Sequence, residues 1–173
     1  AVAYNGKISK KNPGTNTWSP VFKNLPIDEN PRNLTELKSG VFMIAGDNGL
    51  FRSSDGGKTW KKVHKGSMGN IQETNGVLLA TSQEGIIRST DNGVSWKKAV
   101  SEGGVGIYLA RIKDGFVGIT YNTTSKTRRV RTSKDDGKTW QAIDAGLPAQ
   151  ATRGAPAGCR SGPRTGGARR RRG

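Results

Sequence analysis

One eight-residue pattern occurs three times and aligns without a gap: Ser53-Ser54-Asp55-Gly56-Gly57-Lys58-Thr59-Trp60, Ser89-Thr90-Asp91-Asn92-Gly93-Val94-Ser95-Trp96 and Ser133-Lys134-Asp135-Asp136-Gly137-Lys138-Thr139-Trp140. All three read S-x-D-x-G-x-[ST]-W. A weaker fourth copy, Asn12-Pro13-Gly14-Thr15-Asn16-Thr17-Trp18, keeps the Gly, Thr and Trp with one extra residue and no Asp. The tryptophans stand 42, 36 and 44 residues apart. Internal repeats of about 20 to 50 residues indicate solenoids, propellers or arrays, and a period near 40 with several strands per unit suits propeller blades.

The flanks of each copy supply those strands. Gly40-Val41-Phe42-Met43-Ile44-Ala45 and Gly49-Leu50-Phe51-Arg52 precede Asp55; Gly76-Val77-Leu78-Leu79-Ala80-Thr81 and Gly85-Ile86-Ile87-Arg88 precede Asp91. Each Trp is followed by another short run: Lys61-Lys62-Val63, Lys97-Lys98-Ala99-Val100 or Gln141-Ala142-Ile143. Short β-prone runs bounded by turn residues predict strands. The 25 glycines and a hydrophobic fraction of 32% fit a loop-rich all-β chain better than a helical one. Within the pattern, the Asp can accept hydrogen bonds from the amides just after it. Gly supplies a positive φ, Ser or Thr closes the remaining donors, and the Trp buries its ring against a neighbouring blade. The pattern makes turns rather than an active site.

These octapeptides resemble the Asp boxes of the BNR-repeat superfamily, which includes sialidases, family-74 xyloglucanases, sortilin-type receptors and photosystem assembly propellers. The resemblance implies a β-propeller with the box on the outer turn between the third and fourth strands of a blade, away from the central ligand face. It assigns a structural role to Ser53, Asp55, Gly57, Thr59, Trp60, Ser89, Asp91, Gly93, Ser95, Trp96, Ser133, Asp135, Gly137, Thr139 and Trp140. A sialidase would add an arginine triad with an Arg-Ile-Pro, an acid Asp, and a Tyr with a Glu partner. The chain has Arg111-Ile112-Lys113 in place of Arg-Ile-Pro, and Tyr4, Tyr108 and Tyr121 stand in no such pairing. Arg52, Arg88 and Arg131 each precede a box by one or two residues, which marks them as scaffold or rim. No catalytic residue is assigned, and the available carboxylates lie largely in boxes or in turns such as Asp28-Glu29.

The predicted fold is all-β, a propeller fragment of about three and a half four-stranded blades within residues 1–150. Residues 1–26 form half a blade, residues 32–63, 68–100 and 105–143 form three more, and Gly146-Leu147-Pro148 mimics Asn24-Leu25-Pro26 at the threshold of another. Closed propellers have about four to eight blades. The chain is therefore expected to be a fragment, to close by pairing with another copy, or to leave open sheet edges that favour self-association.

Residues 151–173 are of a different composition: 7 Arg, no Lys, no acid, and mostly Gly, Ala, Arg and Pro, ending in Arg169-Arg170-Arg171-Arg172. Such a segment cannot bury a core. It reads as disordered, or as an out-of-frame or vector-derived extension, and any nucleic-acid contact would come from this tail alone. The total charge of +16 thus overstates the basicity of the body, whose 22 Lys and Arg face all 13 acids.

Two basic features of the body are candidate binding sites. Arg128, Arg129 and Arg131 form a cluster that could hold an anion, with a charge-protected hairpin edge as the plainer account. Lys61, Lys62, Lys97 and Lys98 occupy equivalent places after their tryptophans, as a repeated basic rim or as solvated strands. One Cys, Cys159, and one His, His64, rule out an intrachain disulfide and a multi-histidine zinc site. Asp135-Asp136 lacks the alternating ligands of a calcium loop. Neither metal nor cofactor is expected. The sequons at Asn33 and Asn122 are short enough to arise by chance.

No apolar run approaches the roughly 18 residues of a membrane span. The start, Ala1-Val2-Ala3, has neither an initiator Met nor a signal segment, so a soluble chain that is processed or cut out is expected. The functional expectation is a non-catalytic module recognising a protein or a carbohydrate, outside the cytoplasm or in an organelle lumen. The alternatives are a glycoside hydrolase fragment whose catalytic residues lie on other blades, and an assembly factor for a larger complex.

Overall fold

The computed structural model describes residues 2–4, 7–20, 31–100 and 104–148. The tail with Cys159 and the Asp28-Glu29 turn lie outside the described residues. Among the described residues every regular element is a strand, and each sheet is an antiparallel meander in chain order. The first sheet has three strands, β1 (Val2–Tyr4), β2 (Lys7–Lys11) and β3 (Trp18–Pro20). The second has four, β4 (Asn33–Glu36), β5 (Phe42–Gly46), β6 (Gly49–Ser53) and β7 (Lys61–Lys65). The third comprises β8 (Met68–Thr74), β9 (Val77–Ser82), β10 (Gly85–Ser89) and β11 (Lys97–Val100). The fourth comprises β12 (Gly104–Ile112), β13 (Gly115–Asn122), β14 (Thr127–Ser133) and β15 (Gln141–Ala142). The last three sheets are the four-stranded units of a propeller, present as a fragment.

Turn chemistry sets the meander. Asn75-Gly76 joins Thr74 to its partner Val77 with φ of 46° and 75°, the two positive values that the hairpin turn matching strand twist requires. Each octapeptide joins the third and fourth strands of its sheet, as at β6–β7, β10–β11 and β14–β15.

Burial along the second strands shows how the sheets stack. Every residue of β9 is buried, because side chains alternate across a strand and both faces of the third sheet are covered. On β13 the buried residues alternate instead: Phe116, Gly118 and Thr120 face the third sheet, while Val117, Ile119 and Tyr121 are only partly covered. The core lies between sheets. One cluster joins Met43, Ala45 and Leu50 of the second sheet to Met68, Ile71, Leu78, Ala80 and Ile87 of the third. Another joins Leu79, Ile86 and Val100 of the third to Leu109 and Phe116 of the fourth. A third holds Ile44 and Phe51, with Leu34, Phe42 and Trp60 against them, all on the second sheet.

Candidate functional site

Each octapeptide forms one closed turn. Ser89 is buried, and its Oγ donates to Asp91 Oδ1 at 2.7 Å while accepting the Gly93 N–H at 3.0 Å. Asp91 Oδ1 also accepts the amides of Val94 at 3.1 Å and Ser95 at 2.9 Å, and Oδ2 takes the Ser95 hydroxyl at 2.5 Å. Asp55 and Asp135 repeat this arrangement with Thr59 and Thr139. Trp96 and Trp140 close their turns by donating Nε1–H to the carbonyls of Gly93 and Gly137, both at 3.2 Å. The residue before the box glycine also has positive φ: Gly56 at 72°, Asn92 at 61° and Asp136 at 54°. Sequence reasoning credited only the glycine; the signal was present in the restriction of the preceding position to Gly, Asn and Asp, the residues that tolerate this backbone.

The tryptophans are not equivalent. Trp96 packs on the cluster between the second and third sheets and Trp140 on that between the third and fourth, as expected of rings buried against a neighbouring blade. Trp60 instead packs on its own sheet, and Trp18, from the copy without Asp, is 50% exposed.

Hydrogen bonds to the box carboxylates set their titration. The Ser95 hydroxyl, then the Ser95 amide and the Ser89 hydroxyl, hold Asp91 down to about 2. The Thr139 hydroxyl and amide do the same for Asp135, also to about 2, and Thr59 lowers Asp55 further. A carboxylate whose folded pKa lies below its unfolded value of about 3.9 stabilises the fold fully above that value and loses the contribution as pH falls through the folded one. The urea midpoint is therefore expected to be flat from about pH 6 to pH 4.5 and to fall between about pH 4 and pH 2. An Asp91→Asn variant should have a lower plateau and a shallower acid limb.

Two arginines fasten one sheet to the next box. Arg52 Nε donates to the Asn92 carbonyl and Arg88 Nε to the Asp136 carbonyl, both at 2.9 Å. The acceptor each time is the residue with unusual φ. Arg131, which sequence grouped with them, stands one residue earlier relative to its box; Thr132 occupies the equivalent place and donates to the Phe116 carbonyl at 3.0 Å.

The basic candidates are divided by the pleat. Arg131 pairs with Gly118 and Arg129 with Thr120, on the face toward the third sheet, whereas Arg128 pairs with Tyr121 on the opposite face. Arg129 also bonds Asp144, at 3.2 Å. The three arginines do not converge on one site. Lys61 and Lys97 share a row with Arg52 and Arg88, while Lys62 and Lys98 fall on the alternate register. Lys62 stands 5.1 Å from the centroid of the Phe51 ring, and Lys98 pairs with Glu84 at 3.1 Å. What the structure does bring together is a groove of about 330 Å³ between the third and fourth sheets, lined by Arg88, Thr90, Ser95, Lys97, Lys98, Ala99, Gly137 and Lys138. Lys138 was not singled out in the sequence. Among the described residues no cluster of His, Cys, Asp and Glu could hold a metal ion, and no helix is long and apolar enough to cross a membrane.

Comparison with known proteins agrees with this architecture. An ancestral GH74 enzyme superimposes with a TM-score of 0.59 at 14% identity, covering 78% of this chain and 22% of that one. YCF48 bound to D1 peptide superimposes with a TM-score of 0.56 at 22% identity, covering 82% of this chain and 49% of that one. The chain thus spans about a fifth and about half of the two structures, and at these identities the likeness is one of fold. No protein of curated function matches the sequence. The family profile of the DUF6242 beta propeller domain matches residues 3–99, more than half of the chain, and the chain belongs to that family.

Proposed function

We propose that this chain is a non-catalytic propeller module that recognises a protein segment, with a carbohydrate as the alternative ligand, outside the cytoplasm or in an organelle lumen. The observation that carries the reading is the employment of its carboxylates. Asp55, Asp91 and Asp135 are saturated by their own turns. Asp47 pairs with Arg32, Glu84 with Lys98 and Asp144 with Arg129, and Glu73 accepts the Lys38 amide at 2.9 Å. A glycosidase needs one carboxyl to protonate the leaving oxygen and a second about 5–9.5 Å away as nucleophile or base. Seven of the ten described carboxylates are thus held by the scaffold instead. A protein ligand is preferred because YCF48, whose superposition covers 82% of this chain, is bound to a peptide.

A glycoside hydrolase fragment is the second reading, favoured by the GH74 likeness. Parallel peptide and glycan arrays, with a hydrolysis assay on xyloglucan and a fluorogenic sialoside, separate the two. Saturable binding to a subset of peptides, with Kd of about 1–100 μM and no turnover, is expected. Turnover by this chain, or blank arrays, would overturn the proposal; stable co-purification with a larger complex would narrow it to an assembly role.

A further inference from the structure

We propose that the groove between the third and fourth sheets binds a short acidic peptide segment by its carboxylates, an inference that rests on the reading of the chain as a protein-binding module. Beside Ser95 and Lys98, which are engaged by Asp91 and Glu84, four donors line it. Arg88 is fixed by its Nε bond to the Asp136 carbonyl, so its terminal Nη groups form a fork held in place before any ligand arrives. Lys97 is the direct cross-strand partner of Arg88, and Lys138 enters from the octapeptide turn of the fourth sheet. Thr90 adds a hydroxyl. Among the described residues no carboxylate pairs with Arg88, Lys97 or Lys138. Glu84 is taken by Lys98, and the carboxylates of Asp91 and Asp135 are taken by their own turns. A planar guanidinium beside two ammonium groups is matched to carboxylate oxygens, and the lining has no aromatic ring on which a neutral sugar could stack.

The repeat provides an internal comparison. The joint between the second and third sheets has the same Arg52 bond to the following turn and the same cross-strand lysine, Lys61. There, however, Val94 stands where Lys138 does, and it is 52% exposed. On the fourth sheet Thr132 and Gln141 occupy the places of Arg88 and Lys97. Of the places compared, the joint between the third and fourth sheets assembles the full set of cations, although the scaffold repeats. The groove also runs beside β11, the terminal strand of its sheet, bonded only to β10. Its outer edge offers backbone donors and acceptors to an extended peptide, a recurrent mode of peptide capture.

The test is a titration of the whole 173-residue chain with a fluorescein-labelled peptide of alternating Glu residues and with its Gln counterpart, at about 0.15 M salt to screen diffuse attraction. The Glu peptide should bind at least about tenfold more tightly, and Lys138→Glu should weaken it by about tenfold or more. Lys113→Glu, the same charge change on the exposed β12–β13 turn, should change it less than about twofold, and Val94→Lys should add a second, weaker site. Equal losses for the Lys138 and Lys113 variants would show attraction to net charge and overturn the proposal. So would a Lys138-dependent preference for a sulfated oligosaccharide over the peptide. No binding of the Glu peptide, with saturable binding of other peptides on the array, would overturn this site and leave the peptide-binding reading standing.

Discussion

Phe116→Ala is expected to lower the stability of the chain by about 3–5 kcal/mol, the range for removing a fully buried aromatic ring. The ring is 1% exposed, on the face of β13 that meets the third sheet, packed with Leu79, Ile86, Val100 and Leu109 and flanked by Trp140. Neither neighbouring sheet can collapse into the space, because each is held by its own ladder. With net stabilities of about 5–15 kcal/mol typical of domains, such a loss brings the fold close to its threshold. Urea unfolding checks it, with Ile112→Ala as the control. Ile112 is 41% exposed at the β12–β13 turn, and its truncation should cost less than about 1 kcal/mol. Equal shifts for the two variants would mean that the joint between the third and fourth sheets is not the core assigned here. The same joint sets the spacing of Arg88 and Lys97 against Lys138, so Phe116→Ala should weaken binding of the acidic peptide as well.

The propeller was legible in the sequence because its defining turn is local. Every bond that Asp91 accepts comes from within four residues, so the whole device is written in eight consecutive letters. The strand runs around it were legible for the same reason. The groove was not, because its parts come from two sheets: Arg88 and the Asp136 carbonyl are 48 residues apart. The pleat concealed the rest. Lys97 and Lys98 look alike as neighbours, yet one shares the row of Arg88 and the other turns to Glu84. Arg128, Arg129 and Arg131 look like one cluster, yet successive side chains alternate between faces, so Arg128 is turned away from Arg129 and Arg131. Arg52 and Arg88 could be recognised as scaffold from their place before the box, but the carbonyls they hold could not.

Gly137→Ala is expected to cost about 2–4 kcal/mol, and the reason divides into two parts that a control can separate. Gly137 has φ of +77°, a conformation that an L-residue adopts at a cost of about 1 kcal/mol. A Cβ placed there would also lie 2.6 Å from Leu79 Cδ2, a side chain that is itself fully buried in the third sheet. The leucine must then leave its position, adding the roughly 1–3 kcal/mol typical of an overpacked core. Gly76 is the matched control: its φ is +75° and nothing lies within 4 Å of an added Cβ. Gly76→Ala should therefore show the backbone cost alone, about 1 kcal/mol. Chemical denaturation of both variants, followed by tryptophan fluorescence, reads the difference. Trp140 is well placed to report it, since its Nε1–H donates to the Gly137 carbonyl. If the two alanine variants lose the same stability, the octapeptide turn does not press on the preceding sheet. The glycine would then serve the turn and not the joint, and the packing assigned between Gly137 and Leu79 would be wrong.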